Sequence, residues 1–187
     1  RSVSRGLGDV YKRQMLEDAL SKMRSGELEG LSDFDDNWAP QINLGVPVLI
    51  PEKYVSDLDT RLGLYRRLSG LTSKVELEGF AAELIDRFGE LPREVNTLLL
   101  VVRIKAMCKR AQISKFDGGP KGATIQFYNN KFKSPSGLVT FIDNENGHAK
   151  IRDNKLVVIR SWAKDSDRIR GSFNLAKDLA KLAQAKN

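Results

Sequence analysis

The stretch from Val75 to Ala111 constrains the fold more than any other part of the chain, because it shows two helical periods separated by a break. Apolar residues at three- and four-residue steps carry the first period: Leu77, Phe80, Ala81, Leu84 and Phe88. The second period is carried by Val95, Leu98, Leu99, Val102 and Ala106. Residues at these steps share one face of a helix, so the stretch predicts two helices packed through apolar stripes.

The ends of these two helices are also marked in the sequence. Ser73 followed three residues later by Glu76 has the form of a capping box, which predicts where the first helix begins. Gly89 can take the left-handed conformation that ends a helix. Pro92 fits the first turn of the second helix, where its missing N–H would have no partner.

Four charged residues near the end of the first helix point away from its apolar stripe: Glu83, Asp86, Arg87 and Glu90. One interpretation is a solvated surface with a local pair between Glu83 and Arg87 at four-residue spacing. The other is a docking site for arginines of another domain. Both remain open at this point.

The chain before this stretch predicts a strand and a helix. Apolar and polar residues alternate from Gln41 to Pro51, which predicts a half-buried strand, and Pro47 places it at a sheet edge or at a bulge. Residues 58–68 predict a helix with Arg61, Arg66 and Arg67 facing outward.

The chain after Ala111 predicts two hairpins and two further helices. The first hairpin joins strands at 114–116 and 123–128 through a loop at 118–122, and the second joins 149–152 and 155–162 through a turn at 153–154. Ser134 predicts the beginning of one helix, and Asp165 or Ser166 that of the last. The predicted fold is α+β, with a small, mostly antiparallel sheet packed with about five helices.

We expect three segments. Residues 1–14 show no apolar period and read as a translated sequencing adapter or cloning artefact, the alternative being a genuine basic arm. Residues 15–40 predict a short helix followed by an acidic linker, whose aspartates lack the glycine and the glutamate of a calcium loop. Residues 41–187 predict the domain proper.

No residue set for catalysis, cofactor binding or metal binding is recognisable. The chain has one Cys and one His, and neither Cys108 nor His148 has the neighbours that a metal site or a nucleophilic pair requires. The glycine-rich loop at 118–122 leads into a strand, whereas a phosphate loop leads into a helix. The sequence therefore predicts a non-enzymatic module. The absence of an apolar run long enough for a membrane span, with a single cysteine, predicts a cytoplasmic location.

Several separated motifs resemble one family in the same order. They are Val48-Leu49-Ile50-Pro51, Tyr54-Val55-x-Asp57, Arg61-Leu62-x-Leu64-Tyr65-x-Arg67-Leu68, and Glu83-Leu84-x-Asp86-Arg87-Phe88-Gly89-x-Leu91-Pro92. Together they resemble the C-terminal (TRCF) domain of bacterial transcription-repair coupling factors, the Mfd family. The resemblance extends from residue 41 to the end and is most specific before Ala111.

The resemblance implies a parent protein that moves on double-stranded DNA using ATP and Mg²⁺, displaces stalled RNA polymerase and recruits UvrA for nucleotide excision repair. Residues 15–40 would then lead out of a missing motor, and this chain would be a regulatory module without ATP chemistry. It would fold back on the UvrA-binding domain of the same protein and hold that protein in a repressed state until polymerase is engaged. In that setting Glu83, Asp86, Arg87 and Glu90 are the candidate docking residues.

An alternative is a free-standing basic nucleic-acid-binding α+β domain. The formal net charge is +7, and such a domain would use the arginines of the helix at 58–68 with the lysines of the last helix, Lys177, Lys181 and Lys186. This alternative predicts DNA binding that weakens steeply with salt.

Overall fold

Residues 13–17 and 38–185 are described by a computed structural model, in which they divide into two units. The first unit contains residues 13–17 and Pro47–Val102, and the second contains Trp38–Val46 and the chain from Arg103 to Ala185. Residues 13–17 are helical. The predictions for residues 1–12 and 18–37, including most of the expected linker, lie outside the described residues.

Three helices form the first unit, and local sequence sets their ends. Helix α1 spans Leu58–Ser69, α2 spans Lys74–Phe88, and α3 spans Arg93–Arg110, whose residues after Val102 belong to the second unit. The predicted capping box at Ser73 is confirmed, because its side chain and that of Glu76 each accept from the other residue's backbone N–H. Gly89 ends α2 with a φ of +92°, and Pro92 directly precedes α3.

Both predicted apolar stripes contribute to the core of the first unit. The buried cluster comprises Ile50, Val55, Leu64, Tyr65, Leu68, Leu77, Phe80, Leu84, Val95, Leu98 and Val102. The hydroxyl of Tyr65 accepts the backbone N–H of Ile50 at 2.6 Å, so the one polar atom of this ring has a partner inside the core. The prediction for Val75–Ala111 is confirmed at the level of its elements.

One arginine of α1 contradicts its prediction. Arg61 is buried, with 7% exposure, because its guanidinium donates to the carbonyl oxygens of Val55 and Ser56 at 2.6 and 3.1 Å. It closes the turn that leads into α1, which the helical period cannot reveal. Arg66 and Arg67 are exposed, as predicted.

A five-stranded sheet forms the centre of the second unit. Its strands are β1 (Gln41–Asn43), β2 (Ile113–Gly119), β3 (Gly122–Phe127), β4 (Ala149–Arg152) and β5 (Lys155–Ile159), in the spatial order β1-β2-β3-β5-β4. Among these described strands, only the β1–β2 pair is parallel. Helices α4 (Pro135–Asn144) and α5 (Asp165–Gln184) complete the unit. The predicted fold class, α+β with a mostly antiparallel sheet and about five helices, is confirmed.

The turns of the two hairpins contain residues with positive φ, which explains the residue types found in them. Gly122 has a φ of +131°, and a Cβ at this position would lie 1.9 Å from the carbonyl oxygen of Val158 on the paired strand, so only glycine fits. Asp153 and Asn154 have φ of 51° and 60°, as a two-residue type I′ turn requires.

Ser134 caps α4 as predicted. The last helix differs by one position, since Lys164 occupies its N-cap without a side-chain hydrogen bond.

The strand predicted at Gln41–Pro51 is much shorter than expected. Strand β1 ends at Asn43, because Gly45 turns the chain with a φ of +63° and Pro47 has no N–H for a ladder. Its position at the sheet edge is confirmed. Leu44 and Ile50 are both buried, but they belong to different units. The alternation of apolar and polar residues from Gln41 to Pro51 therefore reflects burial in two units and not one long strand.

Candidate docking site

The outward side of α2 carries a row of exposed residues. Leu77, Phe80 and Leu84 bury the inner side of this helix. We call the opposite stripe the α2 outer face and define it by residues at steps of four, three and four: Val75, Gly79, Ala82 and Asp86. All four are exposed, and Val75 is an apolar side chain with 77% exposure.

Glu83 lies at the edge of this face and is held by two arginines. Arg67 of α1 forms a bidentate pair with its carboxylate at 2.8 and 2.5 Å, and Arg87 adds a bond at 3.1 Å. The hydrogen bond from Arg67, which outweighs the opposing effect of desolvation and is assisted by Arg87, lowers the pKa of Glu83 to about 2. The local Glu83–Arg87 pair expected from the spacing is therefore present, and Arg67 adds a longer-range tie.

The two arginines also rest on aromatic rings. The guanidinium of Arg67 lies 5.1 Å from the centre of the Phe80 ring, and that of Arg87 lies 4.8 Å from the Phe88 ring. Such contacts add attraction to the ion pairs and restrict the arginine side chains. Glu83 therefore works first inside its own unit, joining α1 to α2.

Asp86 and Glu90 differ from Glu83 in their surroundings. Both are exposed, and within the described residues neither takes part in an identified ion pair or side-chain hydrogen bond. Asp86 lies in the last turn of α2, where its carboxylate faces the negative end of the helix dipole. Of the four predicted docking residues, the structure thus pairs Glu83 with Arg87 and leaves Asp86 and Glu90 directed to solvent.

Gly79 is a residue of this face that sequence reasoning missed. It lies in the middle of α2, and a Cβ there would meet nothing within 4 Å. A glycine in a helix interior costs about 0.5–1 kcal/mol relative to alanine, and no neighbour within the described residues requires its small size. A glycine that breaks the pattern of an exposed helical face was the available signal.

The end of α2 is held firmly to the unit. The Tyr54 hydroxyl donates towards the carbonyl oxygens of Leu84 and Gly89, at 3.1 and 2.9 Å. Its ring also packs edge-on against Phe88, with the ring centres 5.8 Å apart. Asp86 therefore stands on a fixed helical turn, as a docking residue requires.

The side chains with reactive potential are not assembled into a reactive centre in the described part. Cys108 is fully buried, and burial raises the pKa of its thiol. His148 lies exposed on a turn, with Nδ1 3.0 Å from the carbonyl oxygen of Glu145. Residues 13–17 and 38–185 contain no group of three or more His, Cys, Asp or Glu residues able to hold a metal ion. No described helix is long and apolar enough to cross a membrane.

Comparisons with known proteins bear on the identity of the chain. The sequence model of one family, described as the TRCF domain, matches residues 44–138. The transcription-repair-coupling factor of Rickettsia bellii is 40% identical over 157 residues, which cover 83% of this chain and 14% of that protein. That of Escherichia coli is 30% identical over 145 residues, covering 78% of this chain and 12% of that protein.

A solved structure shares the fold. The crystal structure of the C-terminal domain of transcription-repair coupling factor matches with a TM-score of 0.64 at 20% identity. The match covers 80% of this chain and 97% of that domain.

Proposed function

The chain belongs to the TRCF domain family, and from this premise we propose that it is a regulatory module that docks on another domain of its parent protein. Its relatives at 30–40% identity are transcription-repair-coupling factors, so the family is one of DNA repair coupled to transcription. The chain spans only 14% and 12% of the two relatives compared. The activity of the whole protein is therefore part of the proposal.

In this proposal the parent protein is a DNA translocase driven by ATP, which displaces stalled RNA polymerase and recruits UvrA. In this proposal the ATP and Mg²⁺ bind in domains outside this chain, and the glycine-rich loop at 118–122 supports that placement. The loop before Gly122 joins two antiparallel strands, whereas a phosphate loop leads from a strand into a helix. The module holds the UvrA-binding domain of the same protein in an inhibited state.

The α2 outer face is the observation that carries this proposal. It combines two choices that are unfavourable for the helix alone, an open glycine at position 79 and a carboxylate at the negative end of the dipole at position 86. Local conflicts of this kind concentrate at functional sites. A missing side chain lets a partner surface approach the helix backbone at Gly79, and Asp86 lies on the same face about 10 Å further along the helix axis.

Arginines of the partner domain would be the complementary groups. Arg–carboxylate pairs are often bidentate, so they fix orientation as well as affinity. Asp86 and Glu90 are accessible for this contact, whereas Glu83 is already engaged by Arg67 and Arg87. An interface built on polar pairs can release when the parent engages polymerase, unlike a large apolar one.

Charge reversal tests this function in the full-length parent protein. We expect Asp86→Lys to raise basal ATP hydrolysis and UvrA binding several-fold, because like charges would then face each other across the interface. Asp178→Lys is the matched control, since it reverses an exposed carboxylate on α5. Equal basal activities of the wild type and of a correctly folded Asp86→Lys protein would refute the assignment of this surface.

A further inference from the structure

One face of the sheet in the second unit is open to solvent. The opposite face carries Phe116, Ile125 and Leu156, which are fully buried. Because successive side chains of a strand alternate between faces, their chain neighbours Lys115, Gln126 and Lys155 lie on the open face. Lys115 and Lys155 are exposed.

The strand register aligns these three residues and Arg152 in one line across the sheet. Lys115 of β2 is opposite Gln126 of β3, and Gln126 is opposite Lys155 of β5. Lys155 is in turn opposite Arg152 of β4. We call Lys115, Gln126, Lys155 and Arg152 the cationic row. With strands about 4.8 Å apart, it spans about 14 Å.

The charges of this row are only weakly compensated. Lys115 has Asp117 at 3.6 Å, and Arg152 has Asp153 at 3.9 Å. All four of these side chains are 40–90% exposed, so both ion pairs contribute little. Lys155 has no identified carboxylate partner among the described residues.

The pairing of Arg152 with Lys155 is itself unfavourable. Like charges placed directly opposite each other destabilise an antiparallel pair. The type I′ turn at Asp153 and Asn154 fixes this register, so the two charges cannot slip apart. A polyanion laid over the open face would turn this repulsion into attraction.

We propose that the cationic row binds the sugar-phosphate backbone of a nucleic-acid strand. One strand carries a negative charge per about 3.4 Å, so a row of this length faces about three to four phosphates. The Gln126 amide supplies further hydrogen-bond donors between the two lysines. The row contains no aromatic ring for base stacking, so binding depends on phosphates and not on base sequence. This surface is separate from the α2 outer face and does not rest on the proposed docking function.

Binding of fluorescent oligonucleotides, single-stranded and duplex, to the whole 187-residue chain tests this proposal. The row contains three cations, Lys115, Arg152 and Lys155. In a plot of the logarithm of the binding constant against the logarithm of salt concentration, we therefore expect a slope of about −2 to −3. The double variant Lys115→Gln/Lys155→Gln should lower that slope by about 2 in magnitude. Its thermal midpoint should equal or exceed that of the wild type, since a repulsive charge has been removed.

The matched control removes two charges elsewhere. Lys53→Gln/Lys164→Gln changes exposed lysines outside the cationic row and gives the same net charge as the row variant. Because the row itself is intact, binding by this control should match the wild type. Equal losses in the two double variants, or no binding at low salt, would overturn the proposal. So would a polyglutamate peptide of matched charge that binds as tightly as the oligonucleotide, because the surface would then select acidic peptides.

Discussion

At the scale of single residues, Glu83 and Asp86 have different surroundings, and this difference bears on the proposed docking surface. Glu83 is tied to Arg67, which lies sixteen residues earlier on another helix. Sequence spacing could reveal its pair with Arg87, four residues away, but not a contact that exists only after α1 and α2 pack. Asp86 has no such tie among the described residues. The two carboxylates look equivalent in the sequence, and the fold makes them different.

The ion pairs of Glu83 predict a specific acid sensitivity. Its pKa is lowered from 4.5 to about 2, so its ionised form stabilises the folded state above about pH 4.5, and this contribution is lost as pH falls towards 2. Glu83→Gln removes the titrating group. We expect its thermal midpoint to fall less steeply than that of the wild type across this range, measured by circular dichroism. Identical pH profiles for the two proteins would contradict a folded-state pKa near 2.

At the scale of elements, α2 has a buried apolar inner side and an exposed outer side that includes a glycine. Its capping box, its apolar stripe and the glycine at its end follow from local sequence, which is why this helix was predictable. The proposed role of Gly79 did not follow, although its place opposite the apolar stripe was visible in the sequence, because a glycine in an exposed helix does nothing for the helix itself. An open glycine has an obvious use only once a partner surface is considered.

Two helical glycines allow a matched test of that use. A Cβ at Gly79 of α2 or at Gly63 of α1 would meet nothing within 4 Å, so Gly79→Ala and Gly63→Ala should each stabilise the chain by about 0.5–1 kcal/mol in urea unfolding. Only Gly79→Ala should weaken docking to the UvrA-binding domain. Equal docking by the two variants would show that close approach at Gly79 is not needed.

Strands were less predictable than helices, for a physical reason. The hairpin at β4 and β5 was recognisable because a two-residue turn and alternating residues are local features. The long strand expected after Gln41 was wrong because burial alternates along two segments that serve different units. Arg61 shows the same limit, since its carbonyl partners at Val55 and Ser56 lie in a turn that helical periodicity does not describe.

At the scale of the whole molecule, the chain corresponds to a small part of the length of its relatives, 14% and 12% of the two compared. It has the fold of the solved C-terminal domain, and its recognisable motifs belong to packing and helix ends as well as to charged surface. The fold and the family were therefore accessible from sequence. The α2 outer face and the cationic row were not accessible in the same way. Each depends on which charged side chains lack a partner within the fold, and that can be seen only in the three-dimensional structure.

The proposed function requires that the α2 outer face bind the UvrA-binding domain of the parent protein. Calorimetric titration of that domain with this chain at low ionic strength measures this binding. We expect saturable binding that Asp86→Lys weakens about tenfold or more, the effect of losing one charge-assisted pair, while Asp178→Lys binds like the wild type. Undetectable binding of the wild-type chain, or equal affinities for all three proteins, would rule out the α2 outer face as the docking surface.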